Sequence, residues 1–282
     1  MAIIISRRGV LHAGCGVAAI GVSAAVPAFA QPVANEPKQD LFFAEDWFGE
    51  PWRKPEVAVL IHGNDESGVV WYGWMPRMAR EFRVIRPDLP GFGRSKVPAG
   101  FKWSLPNLAA FIAQVMDKAG VDSAHIIGAK TGGAIAMQFA ADYPARTRTL
   151  SVASGPASVI EIANPSPIPQ RDRLGTGVSK EMVDYWSTMF ATAPGEGVDG
   201  LHEALSKFDL ARDGVLQRIK ARTLVITADR SALQSVEKVR KYQMAIPNSR
   251  LVVLNSDAYH IAAANADVCV TNVLSFIKET RQ

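Results

Sequence analysis

"HIIGAKTGGAIAMQFAADYP", from His125 to Pro144, is the stretch that decides the fold. It opens with an apolar run of the kind found in a strand buried on both faces. From Gly133 onward, apolar residues recur at helical spacing and stop at Pro144. Between the two lies a turn flanked by small residues, with Lys130 at its tip. We therefore expect a strand, a sharp turn and a helix, with Lys130 projecting into a cleft.

The rest of the chain repeats this alternation of short apolar runs and longer helical patterns. Apolar runs that indicate strands begin at Val57, Phe82, Thr149, Ala221 and Ser249. Helical patterns begin at Leu105 and Ala266. Such alternation predicts an α/β protein with a mostly parallel, doubly wound sheet and helices on both faces.

One segment, from residue 157 to about residue 213, breaks the alternation. It has Pro and Gly clusters, no strand pattern, and an aromatic helical stretch "YWSTMF" that begins at Tyr185. We interpret it as a helical cap inserted between two parts of a core, 31–156 and 214–282. A longer surface loop with two helices is the alternative.

Five landmarks resemble the α/β-hydrolase fold family, from Val57 to the C-terminus. They are "LIHGN" at Leu60, "DLPGFGRS" at Asp88, "GAKTGG" at Gly128, "LVITADRSAL" at Leu224 and "NSDAYH" at Asn255. In this family the third landmark is the nucleophile elbow, the turn that presents the reacting side chain. The resemblance implies an α/β-hydrolase fold with a helical cap, and esterase-like or C–C-hydrolase-like chemistry. Fold alone does not fix the reaction.

The elbow carries Lys130 where the family has a nucleophile such as Ser, Cys or Asp. Gly128 and Gly132 meet the steric need of the turn, so only the chemistry of the tip has changed. An unprotonated amine attacks aldehydes and ketones to form a Schiff base. A helix N-terminus and burial both disfavour the ammonium form, whereas a nearby carboxylate such as Asp65 favours it.

His260 lies where the family presents its catalytic base, and the acid position aligns with Ser231. Asp229 lies two residues earlier and reads as a turn former. The resemblance thus implies an altered catalytic triad, Lys130–His260–Ser231. In it, Ser231 forms a hydrogen bond with His260 or acts as a nucleophile itself. Without a carboxylate partner, His260 suits a proton shuttle better than the base of a serine nucleophile.

The oxyanion hole implied by the resemblance uses backbone N–H groups of Asn64 and Thr131. Such donors stabilise negative charge that develops on oxygen. Asp88 reads as a residue that fixes its glycine turn, close to the site.

Large side chains on the predicted cap and near the elbow are candidates to line a substrate pocket. They are Trp71, Trp74, Trp186, Met189 and Phe190. Aromatic residues at helical spacing also occur in plain core, so both interpretations stay open. They favour a small, apolar or aromatic carbonyl compound as the partner. The five histidines are scattered, so we expect no metal site, and we expect no cofactor.

Residues 1–30 have the features of an export signal. Arg7 and Arg8 precede an apolar stretch that is too short for a membrane span, and Ala28 and Ala30 suit a signal peptidase. The paired arginines predict the twin-arginine route, with the export machinery as partner and a periplasmic or secreted destination. An ordinary secretory signal is an alternative, and so is a lipoprotein signal through Cys15.

The charge balance gives little support for a nucleic-acid or membrane partner of the mature chain. The whole chain has 31 Lys and Arg against 27 Asp and Glu, a net charge of +4. Two of those arginines lie in the predicted signal, which leaves a net charge of +2.

Three functions remain open from the sequence. The first is Lys130 Schiff-base cleavage of a C–C bond of retro-aldol type, with His260 moving protons. The second is hydrolysis of esters or C–C bonds through Lys130, Ser231 or an activated water. The third is binding of a small ligand without catalysis.

Overall fold

The sheet is built from the apolar runs that the sequence marks as strands. The computed structural model describes residues 39–159 and 168–281. The strands are β1 (Phe43–Asp46), β2 (Glu56–Ile61), β3 (Phe82–Pro87), β4 (Ala124–Ala129), β5 (Thr147–Ala153), β6 (Arg222–Ala228) and β7 (Ser249–Leu254). Their order across the 7-stranded sheet is β1-β3-β2-β4-β5-β6-β7. Every neighbouring pair is parallel except β1 with β3, which confirms the predicted mostly parallel sheet.

Helices cover both faces of this sheet, also as predicted. They are α1 (Met75–Glu81), α2 (Leu105–Lys118), α3 (Thr131–Asp142), α4 (Gln170–Leu174), α5 (Lys180–Ala191), α6 (Gly195–Leu205), α7 (Val215–Arg218), α8 (Val236–Gln243), α9 (Ile261–Ala264) and α10 (Ala266–Glu279). A 3-10 helix over Gly68–Trp74 leads into α1.

Alternate residues of β2 show the two layers of the core. Val59 and Ile61 pack in the cluster that includes α2 and α3. Ala58 and Leu60 pack in the cluster that includes α1 and α10. Because side chains of a strand point alternately to opposite faces, both faces of the sheet are buried.

β4 lies at the centre of the sheet and ends at the elbow. All six of its residues are buried, and Ile126 pairs with Val59 of β2 and Leu150 of β5. The carboxyl ends of these parallel strands meet at one edge of the sheet. That edge places the loops after β2, β4, β6 and β7 close together, which is where such folds build their sites.

The sequence does not predict β1, because its four residues, three half-buried and one exposed, carry too little periodicity to indicate a strand. It adds to the edge of the sheet antiparallel to β3. Just before β1, Gln39 forms an isolated bridge with Ser95.

The segment between β5 and β6 carries helices α4, α5 and α6, where the sequence predicts a helical cap. The predicted export signal, with Arg7, Arg8 and Cys15, lies outside the described residues. Among the helices that the structure describes, none has the length and apolar character needed to cross a membrane.

Candidate active site

The turn between β4 and α3 places Lys130 in a strained backbone conformation. Its φ is 53° and its ψ is −130°, in a region that residues with a Cβ rarely adopt. The turn closes because its neighbours are glycines. A Cβ on Gly128 would collide with the backbone of Gly132, and a Cβ on Gly132 would collide with the carbonyls of Ile61 and His62. The local sequence therefore forces the Lys130 side chain out of the turn.

Lys130 is buried, and its ammonium group is held by a carboxylate. Nζ lies 2.5 Å from Oε1 of Glu66 and 3.4 Å from the carbonyl oxygen of Asn64. The side chains of Lys130 and Glu66 are 6% and 2% exposed. This is a desolvated ion pair, which is costly to build and strongly destabilising to break from one side.

Glu66 joins Lys130 and His260, and the sequence does not indicate it directly. Its Oε2 accepts the N–H of Gly63 at 3.1 Å, and its Oε1 lies 2.6 Å from Nε2 of His260. One carboxylate thus joins the elbow lysine and the histidine of the last strand's loop. Burial raises the pKa of Glu66, but the charges and contacts of His260 and Lys130 lower it more, so the net shift is well below the usual range. The group is therefore ionised at neutral pH.

A signal for Glu66 was present in the loop after β2. The sequence points instead to Asp65, one residue earlier, as the carboxylate near the lysine. Asp65 has a φ of 61°, in the left-handed region, and this turn brings the next side chain inward. Asp65 itself is half-buried and remains near Lys130 and His202, and burial raises its pKa.

His260 lies beside Glu66 as a buried, weakly basic group. Burial lowers its pKa below the usual value, with Lys130 and Arg173 acting in the same direction and Glu66 against it. Neither ring nitrogen has an aligned hydrogen-bond partner among the described residues, so the contact with Glu66 is close but off the N–H axis. The ring of Trp186 meets the imidazole edge to face at 5.7 Å. At neutral pH His260 is therefore uncharged, with Nδ1 available to take a proton.

The structure does not bring Ser231 into this group. Its Oγ accepts the N–H of Leu233 at 3.4 Å, and no hydrogen bond joins it to His260 within the described residues. Asp229 accepts the N–H of Ser256 at 2.9 Å and pairs with Arg230, as a turn former does. The carboxylate of this site thus comes from the loop after β2 and not from the turn after β6.

The two backbone donors expected for the oxyanion hole lie side by side, but one is already used. The N–H of Asn64 donates to Oγ1 of Thr131 at 2.7 Å. Thr131 is the first residue of α3, where backbone N–H groups lack intrahelical acceptors. An oxyanion bound here would need the Thr131 side chain to rotate away from Asn64.

Asp88 fixes a turn next to the site. Its Oδ1 accepts the N–H of Gly68 at 2.7 Å and its Oδ2 accepts the N–H of Arg94 at 2.8 Å. With both oxygens engaged, Asp88 holds the loop and the 3-10 helix together.

The five candidate pocket residues fall into different environments. Trp71 and Trp74 pack edge to face in the core, and the indole N–H of Trp74 donates to Ala262. Met189 packs against the same cluster, whereas Phe190 is 38% exposed beside Arg173. Trp186 is the one of these five with a described ring contact to His260.

The side chains of the site are shielded from solvent. Lys130, Glu66, His260 and Trp186 are each 5% exposed or less. Two surface cavities, of about 290 and 400 Å³, are lined by other residues. Within the described part of the chain, no group of three His, Cys, Asp or Glu side chains is arranged to hold a metal ion.

Comparison with known proteins agrees with this architecture. Residues 57–178 match the sequence model of a family described as "alpha/beta hydrolase fold". An enol-lactonase structure from Burkholderia xenovorans superposes with a TM-score of 0.73 at 21% identity, over 84% of this chain and 96% of that one. The chain has the α/β-hydrolase fold.

Curated relatives with this fold match over a shorter stretch. A pimeloyl-(acyl-carrier protein) methyl ester esterase from Aeromonas hydrophila is 39% identical over 99 residues, which is 35% of this chain and 37% of the relative. A 2-hydroxy-6-oxo-2,4-heptadienoate hydrolase from Pseudomonas putida is 35% identical over 96 residues, which is 33% of this chain and 35% of the relative. The match thus spans little more than a third of the length of these relatives.

Proposed function

We propose that this α/β-hydrolase-fold protein is an enzyme that cleaves a small, apolar carbonyl compound, with His260 as general base. The observation that carries the proposal is the position of Glu66 Oε1, 2.5 Å from Lys130 Nζ and 2.6 Å from His260 Nε2. These three ionisable groups meet at the elbow, beneath a cap. Buried ionisable groups with lowered pKa values, such as Glu66 and His260, are typical of active sites.

His260 takes a proton from water as the water oxygen attacks the substrate carbonyl. The lowered pKa of His260 keeps it in the neutral, basic form at pH 7. The resulting imidazolium then returns the proton to the leaving oxygen or carbon as the tetrahedral intermediate collapses. Ionised Glu66 stabilises that imidazolium at close range.

Lys130 acts as a fixed positive charge in this scheme. Ionised Glu66 lies 2.5 Å from its Nζ, and the two side chains form a buried ion pair. Together with the N–H of Thr131, the ammonium stabilises the oxyanion of the intermediate. Removal of one such donor typically costs roughly 10²–10³ in kcat.

The experiment is a turnover screen of the full chain with a panel of esters and vinylogous 1,5-diketones. With the best substrate, His260→Gln should lower kcat/KM by roughly 10²–10⁴-fold, the usual contribution of a general base. Ser231→Ala is the matched control and should retain wild-type turnover. Full activity in His260→Gln, or its loss in Ser231→Ala, contradicts the proposal.

A second candidate is Schiff-base cleavage of a C–C bond at Lys130. The strained φ of 53° at Lys130 favours it, because strain at a site is retained where a side chain must be aimed. It requires Lys130 to pass a proton to Glu66 before attack. Reduction by borohydride would then trap the substrate on Lys130.

A third candidate is a ligand-binding protein without turnover, favoured by the charge compensation within a closed site. It predicts that a small apolar ligand raises Tm while no member of the substrate panel is converted.

Export through the twin-arginine route is a further part of the proposal. It rests on Arg7, Arg8 and the small residues before position 31. N-terminal sequencing of the exported protein should begin at Gln31, and replacement of both arginines by lysine should leave the chain in the cytoplasm.

A further inference from the structure

A short piece of the cap holds the loop that carries His260. The carbonyl oxygen of Arg173, near the end of α4, accepts the backbone N–H groups of Tyr259 at 2.9 Å and His260 at 2.8 Å. Three residues further on, Thr176 donates its N–H and its Oγ1–H to the carboxylate of Asp257, at 3.0 Å and 2.8 Å to Oδ2. The backbone of the histidine loop is thus hydrogen-bonded to the cap.

Gly175 lies between these hydrogen bonds and fits the loop tightly. Its φ is +77°, and a Cβ at this position would collide with Oδ1 of Asp257 and lie 2.9 Å from the N of Ala258. The close approach of the two backbones requires glycine at this point. The two segments therefore pack backbone against backbone at this point.

The cap also contacts the opposite side of the site. Nδ2 of Asn64 lies 2.9 Å from Nε2 of His202 on α6, and Gly197 of α6 packs against Gly91. The loop that supplies Glu66 is therefore next to one end of the cap. The His260 loop is hydrogen-bonded to the other end of the cap.

We propose that Arg173–Thr176 is a positioning element for His260, and that the Glu66–His260 contact is assembled when the cap is seated on the core. When the cap lifts to admit substrate, the Arg173 carbonyl withdraws from the His260 loop. Closure then returns the imidazole to Glu66 with the substrate enclosed. Asp257 acts as a positioning residue through Thr176. This inference rests on the proposed role of His260 as base.

The test compares two glycine variants of the full chain. Gly175→Ala places a methyl group against Asp257 and Ala258, whereas Gly214→Ala carries a similar backbone strain, at φ +69°, with nothing within 4 Å of the new carbon. We expect Gly175→Ala to lower kcat on the order of 10- to 100-fold, as small misplacements of catalytic groups do. We also expect the His260 ring, followed by NMR titration, to shift its pKa up toward the usual value as the loop becomes more exposed. Gly214→Ala should show neither change.

Equal behaviour of the two variants in both measurements would overturn the inference. If Gly175→Ala does not fold, Thr176→Val and Asp257→Asn remove parts of the same contact and should give the same two changes in weaker form. A wild-type protein without turnover would remove the proposed function alone, because the His260 titration still tests whether the cap positions the loop.

Discussion

Oε1 of Glu66 lies 2.5 Å from Nζ of Lys130, and both side chains are almost fully excluded from solvent. Lys130 lies at the tip of the elbow, where the resemblance implies a nucleophile such as Ser, Cys or Asp. A single substitution in the Lys130–Glu66 ion pair leaves an uncompensated charge in the interior.

Replacement of Glu66 by Gln should lower the free energy of unfolding by about 3–5 kcal/mol, because Lys130 is then an unpaired buried charge. Lys130→Met should also lower the free energy of unfolding, because Glu66 then loses its buried positive partner. The double variant should lose much less than the sum of the two. Urea unfolding of all four proteins gives the coupling energy, and additive losses would show that the pair is not coupled.

The pH dependence of turnover should report His260. Its pKa is lowered by burial, so the acid limb of kcat/KM should have its midpoint below pH 6.5, the value of an ordinary imidazole. Because Glu66 raises the pKa of His260, Glu66→Gln should move this acid limb to still lower pH. An acid limb that moves to higher pH in Glu66→Gln would contradict the contact between Glu66 and His260.

His125 at the start of β4 should make the fold acid-sensitive. Burial lowers its pKa from 6.5 to about 4, with Glu56 acting against this shift. Between these values the unfolded chain binds a proton that the folded chain does not, so stability falls as pH falls from 6.5 to 4, by about 3 kcal/mol in total.

The control for this effect is His125→Gln, which can keep the hydrogen bond to Oγ1 of Thr149 but does not titrate. Its loss of stability between pH 7 and pH 4.5 should be smaller than that of wild type. Equal losses in thermal melts would assign the acid sensitivity to other groups.

The elbow glycines should be intolerant of even one added carbon. Gly132→Ala places a Cβ into the carbonyls of Ile61 and His62 and should cost about 1–3 kcal/mol. Gly177→Ala, which has open space around the new carbon, is the control and should stay near wild type. Thermal unfolding distinguishes the two, and equal Tm values would contradict the close approach of strand and helix.

The fold could be predicted from sequence because its signals are local and repeated. The buried runs of β2, β4 and β6 and the helical patterns of α2 and α10 each carry enough periodicity to be recognised alone. β1 could not be predicted, because four residues at the edge of a sheet carry too little periodicity.

The site could be predicted only where a motif fixed the position of a side chain. Lys130 and His260 follow from the turns that present them. Glu66 does not, because its direction depends on the left-handed turn at Asp65, and its partners lie 64 and 194 positions away along the chain. Ser231 aligns with the acid position of the family, but the carboxylate beside His260 is Glu66, from the loop after β2.

We propose that Lys130 works as a charge held by Glu66 and not as a nucleophile. Borohydride treatment during turnover, followed by peptide mass spectrometry, distinguishes these two roles. We expect sustained product formation and no reduced adduct on the peptide that contains Lys130. An adduct on Lys130, formed in step with the loss of activity, would contradict it.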